Sequence, residues 1–193
     1  MPLIRCNAFM LTAAVVLGLH SATLFAAGKP QPSSVQKVSM LGGQLQFQLL
    51  KDYVKSPMPE IDDKARAAGI TGTLYMNKAA KRVVIVTETP LEKAQPVSSN
   101  DSATLDGIVA ATAQQQKASY KDFKQLGEKK MVRRGLGVRQ LDISGSVDGG
   151  KVLSSTVTAA SGKRMAMVNV ISLEKDAKAH GELLKAITDN KKR

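Results

Sequence analysis

Cysteine, histidine and tryptophan are scarce in this chain of 193 residues, which contains one Cys, two His and no Trp. A single Cys excludes a disulfide scaffold and a metal site built from several thiolates. Two His leave little material for a metal centre or for a nucleophile activated by a histidine base. The four Phe and three Tyr are dispersed, whereas proteins that bind single-stranded nucleic acid stack bases on grouped aromatic rings. We therefore expect no metal, no cofactor and no nucleic-acid partner.

Acidic residues are also in the minority, with 16 Asp and Glu against 28 Lys and Arg, and the formal net charge is +12. Hydrophobic residues make up 43% of the chain. This composition is typical of a globular protein with a core, and the length suits one domain better than two.

Residues 1–26 are predicted to be a secretory signal peptide. Arg5 supplies the positive start, and the apolar run FMLTAAVVLGL follows at residues 9–19. Small residues near Ala26 predict cleavage after it, with Ala27 as the second choice. The alternative is an N-terminal membrane anchor, which is disfavoured because a spanning helix needs about 20 apolar residues.

The position of Cys6 argues against a lipid anchor, because a bacterial lipoprotein carries its modified Cys directly after the apolar run. Cys6 precedes that run and would leave with the leader. No later stretch is long and apolar enough to cross a membrane. We expect a basic periplasmic protein, with further secretion as the alternative.

One domain is predicted after the leader. Residues 27–34, with the sequence AGKPQPSS, are rich in Pro, Gly and Ser and predict a flexible lead-in. No internal repeat or second shift in composition follows. Residues 35–193 are therefore predicted to form a single domain.

Alternating polar and apolar residues predict strands over much of this domain. Leu45, Phe47 and Leu49 alternate with glutamines, which places the three apolar side chains on one buried face. A Gly pair at 42–43 predicts a hairpin with residues 35–40. Further strands are predicted over residues 70–76, 82–89, 125–132, 136–146, 152–159 and 165–173.

Two of these strands are apolar on both faces, at residues 83–86 and 165–173. This pattern predicts central strands that are covered on both sides. The segment 51–59 contains two prolines and is predicted to be a loop.

Three helices are predicted. A short one covers residues 60–68. A second begins at a cap on Asp101 or Ser102 and frays through residues 114–116. The third runs from about 175 to 190. The resulting fold class is α+β, a mostly antiparallel sheet flanked by helices in an α/β/α sandwich.

No pattern of catalytic residues stands out. His180 shares a helical stripe with Leu183 and Leu184, which favours a side chain near the edge of the core over a catalytic base. The pair Gly135 and Gly137 lacks the strand–loop–helix context of a dinucleotide site and predicts a turn or bulge. A hydrolase with dispersed carboxylates or a serine remains an open alternative, since such groups meet only in the fold.

Positive charge is concentrated between residues 117 and 139, where eight basic residues accompany two acidic ones. Lys129, Lys130, Arg133 and Arg134 are the candidate binding residues for an anionic partner. We expect them to lie on or beside an exposed strand pair, since charged side chains in such a run are costly to bury. The partner would be an anionic envelope component or a protein. The alternative is a solvated hairpin whose charge serves solubility.

Several stretches resemble the DcrB family of Gram-negative envelope proteins. Residues 43–49, with the sequence GQLQFQL, are similar to the family's opening strand, and VVIV at 83–86 is similar to its second apolar strand. RQLD at 139–142 resembles a Gln-Gln-Leu-Asp stretch, and residues 152–172 resemble its long terminal hairpin. The similarity spans most of residues 38–190.

The resemblance implies a fold shared with the photosynthetic PsbP proteins and the Ran-binding Mog proteins, in which a sheet lies between helices. It also implies an accessory or adaptor protein without enzymatic activity. The family is typically lipidated, and this chain departs from it by lacking a Cys after the apolar run. We therefore expect an exported, non-enzymatic accessory or binding protein of the envelope, with a secreted host-interaction factor as the alternative.

Overall fold

A computed structural model describes residues 35–92 and 95–189. The predicted signal peptide at 1–26, the lead-in at 27–34 and the basic residues 191–193 lie outside these ranges. The strands are β1 (Val35–Met40), β2 (Leu45–Leu50), β3 (Val54–Ser56), β4 (Thr71–Asn77), β5 (Arg82–Pro90), β6 (Lys121–Arg133), β7 (Leu136–Val147), β8 (Gly150–Ser161) and β9 (Arg164–Leu173). The helices are α1 (Asp63–Ala67), α2 (Ser102–Ser119) and α3 (Ala177–Thr188).

Seven strands form one sheet in the order β3-β4-β5-β9-β8-β7-β6, and β1 pairs with β2 in a separate hairpin. All neighbouring strands are antiparallel. The predicted α+β class, with a mostly antiparallel sheet and flanking helices, is confirmed. Strands β5 and β9 lie in the interior of the sheet, as their apolar sequences predict.

One face of the large sheet is covered by the β1–β2 hairpin and α3. Leu45, Phe47 and Leu49 of β2 are buried here, which confirms the face predicted from their alternation. Leu184 and Ile187 of α3 join the same cluster. The main hydrophobic core therefore lies between the large sheet and the hairpin.

The opposite face is covered only at its two ends. Helix α2 packs over β6, β7 and β8, and its Val109 contacts Leu141 and Ile143. At the other end, a small cluster around Met58 and Ile61 packs over β4 and β5. Between these two covers, the outward side chains of β5 and β9 lie in a groove.

Helix α2 does not fray at residues 114–116 as predicted but continues to Ser119. The Asp101 carboxylate caps its start by accepting the amide N–H of Thr104 at 2.6 Å. Near its end, the Gln116 amide donates to the Thr156 hydroxyl at 2.9 Å. This tertiary hydrogen bond to β8 stabilises the last turns of α2. A contact of this kind between distant residues cannot be predicted from the periodicity of the helix sequence.

Two strand boundaries also differ from the predictions. Strand β6 begins at Lys121, whereas the prediction placed its start at residue 125. The short strand β3 forms inside the segment 51–59, which was predicted to be a loop. Both are edge strands, whose exposed residues lack the strong alternation that identifies a half-buried strand.

The turn at Gly135 is confirmed. Arg134 and Gly135 have positive φ angles of 51° and 80° and connect β6 to β7. Positive φ at both central residues is the geometry of a tight hairpin turn, which a glycine adopts without steric cost. None of the helices within residues 35–92 and 95–189 has the length and apolarity to cross a membrane.

Candidate functional site

The groove on the half-covered face has a volume of about 590 Å³. Strands β5 and β9 form its floor. The end of α2 forms one wall, and Met58 and Ile70 form part of the other. Its volume lies within the range of about 300–1,000 Å³ that is typical of small-molecule sites.

The apolar character of the floor follows from strand periodicity. In β5, Val84 and Val86 point into the main core, so Val83 and Ile85 point into the groove. Residues of β9 divide in the same way between the two faces. The groove side of β9 consists of Met165, Met167, Asn169, Ile171 and Leu173.

Cross-strand pairing places these groove residues side by side. Val83 faces Ile171, and Thr87 faces Met167. Val83 is buried, whereas the side chains of Met165, Met167 and Ile171 are only partly buried. The central strands were predicted to be covered on both sides, and this prediction is wrong for the outer face of β9. Its second apolar face lines the groove.

Amide and hydroxyl groups occupy the middle of the groove. The Asn169 side-chain amide donates to the hydroxyls of Ser154 and Thr156 at 2.9 and 2.8 Å. The Gln116 Oε1 atom on the helical wall is buried and has no hydrogen-bond partner among the described residues. A buried acceptor without a partner costs about 1–3 kcal/mol, so a water or a ligand donor would be stabilised there.

Charged side chains lie at only one end of the groove. Lys81, Lys121 and Asp148 line the end where β9 finishes. The opposite end is lined by apolar side chains, such as Met58 and Ile70, and by two threonines, Thr87 and Thr89. The groove is therefore charged at one end and uncharged at the other.

Tyr120 closes the groove next to the end of α2. Burial raises the pKa of its phenol above the ordinary value of 10.0, although a hydrogen bond with Ser154 acts in the opposite direction. Tyr120 is therefore a neutral wall of the site at physiological pH.

A second polar cluster lies on the opposite face of the sheet, around His180 of α3. The imidazole Nε2 lies 2.9 Å from the Ser155 hydroxyl, and Nδ1 lies 2.9 Å from the Ser172 hydroxyl. Ser155 donates to the Asp142 carboxylate at 2.5 Å. Arg82 donates to the Ser172 hydroxyl at 3.0 Å. These contacts connect α3 to four strands of the sheet.

The direction of these hydrogen bonds differs from that of a catalytic triad. Ser155 has one hydroxyl hydrogen, and it is donated to Asp142, so His180 Nε2–H must donate to Ser155. A histidine base would instead accept the serine proton. The exposed fractions of Ser155, Ser172 and His180 are 2%, 1% and 4%. A substrate cannot reach them, and the cluster ties α3 to the sheet.

Burial lowers the pKa of His180 below its ordinary value of 6.5, because the cationic ring would lose its hydration. Asp142 opposes this shift and Arg82 adds to it. The ring is therefore neutral in the folded protein near neutral pH. The prediction that His180 lies on a helix face near the core is confirmed.

The candidate binding residues of the basic segment lie in different environments. Lys129 and Lys130 of β6 and Arg134 of the following turn are exposed. Lys130 forms an ion pair with Asp106 of α2 at 2.8 Å, and Lys129 lies 3.8 Å from Asp142. Lys129 and Lys130 lie on the edge strand of the sheet and Arg134 lies beside it, as predicted.

Arg133 does not lie on the exposed surface, which corrects the prediction for this residue. Its exposed fraction is 9%. One guanidinium nitrogen donates to the Ile187 carbonyl at 2.5 Å, and another donates to the Gln46 carbonyl at 2.6 Å. The side chain joins β6 to the end of α3 and to β2, because two nitrogens of its planar guanidinium donate to one carbonyl on each.

No cluster of His, Cys, Asp and Glu with the geometry of a metal site occurs within residues 35–92 and 95–189. The groove instead presents carbon, amide and hydroxyl groups in its middle, with charge at one end. This arrangement suits the binding of a molecule with an apolar part. It does not bring two titratable groups together over the floor.

Comparison with known proteins identifies the fold. No model of a known protein family matches the chain, and no curated protein sequence matches it. The solution structure of the cyanobacterial PsbP protein, CyanoP, from Synechocystis sp. PCC 6803 is similar, with a TM-score of 0.56 and 9% identity. The similarity covers 86% of this chain and 96% of that chain. The chain therefore has a PsbP-like fold, as the resemblance implied.

Two further structures are similar at a lower level. A Pseudomonas aeruginosa protein of unknown function, PA94, matches with a TM-score of 0.46 and 13% identity over 82% of this chain and 97% of that chain. LpqN, a protein involved in cell envelope biogenesis of Mycobacterium tuberculosis, matches with a TM-score of 0.45 and 14% identity. That match covers 81% of this chain and 82% of that chain.

The residues of the groove were not singled out by sequence reasoning. Their signal was present in the two strands that are apolar on both faces, at 83–86 and 165–173. That pattern predicts burial on both sides, but it fits equally a strand whose second face lines a ligand groove. Only the position of α2, which stops over β8, distinguishes a strand buried on both sides from a strand that lines a groove.

Proposed function

We propose that this protein is an exported accessory protein of a bacterial cell envelope, which binds a molecule in the β5–β9 groove without transforming it. The observation that carries the proposal is the groove itself, with its apolar floor and its amide and hydroxyl groups. The Ser155–His180–Asp142 cluster gives no support to the hydrolase alternative, because it is buried and its hydrogen bonds run in the wrong direction.

Membership of the DcrB family is part of this proposal. The PsbP-like fold supports it, since the family resemblance implied that fold. The stretches that carry the resemblance fall in or next to strands, as the resemblance implies. GQLQFQL at 43–49 leads into β2, VVIV at 83–86 lies in β5, and residues 152–172 span the β8–β9 hairpin.

Export is proposed from the amino-terminal sequence. Residues 1–26 form the signal peptide, 27–34 the lead-in and 35–193 the single DcrB-like domain. The described part of that domain forms a seven-stranded sheet and a two-stranded hairpin that share the main hydrophobic core, which supports a single folding unit.

The test follows the full chain in a Gram-negative host. We expect osmotic shock to release a protein whose intact mass begins at Ala27 and which carries no acyl group. The matched control is Val15→Asp, which breaks the apolar run and should leave the chain uncleaved in the cytoplasm. A wild-type chain that remains cytoplasmic with residues 1–26 attached would contradict export, and an acylated Cys6 would contradict a free protein.

A second candidate function is the binding of an anionic partner at the basic edge, which we define as Lys124, Lys129, Lys130 and Arg134. All four side chains are exposed, and three of them lie on β6, the outermost strand of the sheet. The edge is interrupted by register irregularities between Lys121 and Gly127. Lysines and bulges protect a free edge against aggregation, which is the solubility alternative for the same charges.

A further inference from the structure

We propose that the groove binds a long-chain fatty carboxylate, with its chain along β5 and β9 and its carboxylate beside Lys81 and Lys121. This inference rests on the proposed function of the groove as a binding site. It adds the chemical class and the orientation of the ligand.

The orientation follows from the distribution of charge. Lys81 directly precedes β5, and Leu173 ends β9, so both lie at the same end of the antiparallel pair. Lys121 and Asp148 line this end too. Two cations with one anion leave a single positive charge, which matches a monoanionic head.

The opposite end carries no charged side chain among the groove residues and offers a hydrocarbon several apolar contacts. Met58, Ile70 and Met165 line it. Methionine side chains are flexible and polarisable, and they adapt to irregular apolar surfaces. From Leu173 to Met165 the floor extends for eight residue steps, which corresponds to roughly 26 Å of strand. This length suits an extended chain and exceeds the needs of a compact apolar ligand.

The polar side chain of Asn169 on the floor does not exclude a hydrocarbon chain from the groove. Its amide group donates both hydrogens to Ser154 and Thr156 within the sheet. No N–H of this side chain therefore loses hydration when a methylene chain covers it. A methylene chain over Asn169 therefore leaves both of its donors satisfied.

The experiment uses the exported chain recovered from the host, freed of bound lipid, and a fluorescent fatty carboxylate displaced by competitors. We expect palmitate to compete at least a hundredfold better than octanoate, because each buried methylene contributes a factor of about four in affinity. We expect the Lys81→Glu/Lys121→Glu variant to weaken palmitate about tenfold and to leave cetyl alcohol unchanged. The matched control is Lys55→Glu/Lys178→Glu, which makes the same charge change outside the groove and should bind palmitate like the wild type.

Two variants test the floor. Thr87→Phe adds bulk opposite Met167 without adding charge, and Met167→Asp adds charge. Each should reduce palmitate binding more than tenfold, and thermal unfolding shows which variants are folded. If Met167→Asp does not fold, Thr87→Phe decides the question.

Several results would overturn the inference. One is equal competition by palmitate and octanoate, and another is palmitate binding that Thr87→Phe leaves unchanged. A third is a wild-type dimer, seen in sedimentation, that Thr87→Phe dissociates. That result would make a second copy of the chain the occupant of the groove. A protein that is exported and cleaved but shows one of these results fails only the ligand assignment. A protein that is never exported fails the proposed function instead.

Discussion

Replacing Arg133 with methionine should destabilise the protein far more than the same replacement at the neighbouring Arg134. Both variants lose one positive charge from the same segment. Arg133 is buried and donates to the carbonyls of Ile187 and Gln46, whereas Arg134 is exposed in a turn. The pair of variants therefore separates the structural role of a buried guanidinium from the general effect of charge.

The magnitude follows from the two hydrogen bonds. A hydrogen bond to a charged group contributes about 1.5 kcal/mol at the lower end of its range, so two contribute about 3 kcal/mol. For a domain of this size, each kcal/mol lowers Tm by about 2–4 °C. Arg133→Met should therefore lower Tm by roughly 6–12 °C. Arg134→Met should change stability by less than about 0.5 kcal/mol, as surface substitutions usually do.

The assay is thermal and urea unfolding followed by circular dichroism. The urea midpoint of Arg133→Met should fall while the slope stays unchanged, because the unfolded state exposes the same surface. Arg133→Lys should lie between the wild type and Arg133→Met, since one ammonium cannot reach two carbonyls as a planar fork does. Equal Tm values for Arg133→Met and Arg134→Met would refute the structural role of Arg133.

Other predictions concern pH and charge. The lowered pKa of His180 means that the unfolded chain binds the proton more tightly, so the contribution of this residue is complete above its ordinary pKa of 6.5 and is lost as the pH falls below that value. The Tm of the wild type should therefore decrease from about pH 7.5 to about pH 5.5. The Tm of His180→Gln should decrease less steeply over the same range, and identical slopes of Tm against pH would contradict the buried network. Lys124→Glu/Lys129→Glu/Arg134→Glu should reduce binding to anionic vesicles and abolish its salt dependence, since exposed charges are screened within about 8 Å at physiological salt. If this variant is folded and binds the vesicles as the wild type does, the charges of the basic edge serve solubility rather than binding.

Much of the architecture could be predicted from the sequence because it depends on local periodicity. Leu45, Phe47 and Leu49 identify the buried face of β2 through their spacing of two. The turn glycine Gly135 and the cap residue Asp101 mark element boundaries by their own conformational and hydrogen-bonding preferences. The order of strands and helices, and with it the α+β class, follows from such signals.

Only the tertiary structure decided which side chains enter the core, which stay exposed and which line the groove. Arg133 and Arg134 are adjacent and chemically identical, yet one is buried because the end of α3 and strand β2 meet at its position. Met167 and Val168 are both apolar residues of β9, yet only Val168 enters the main core, because the hairpin covers its side while α2 stops short of the other. Which helix covers which part of a sheet depends on contacts between residues far apart in the chain. The periodicity of a strand or helix establishes which side chains share a face, but it does not establish which other element packs against that face.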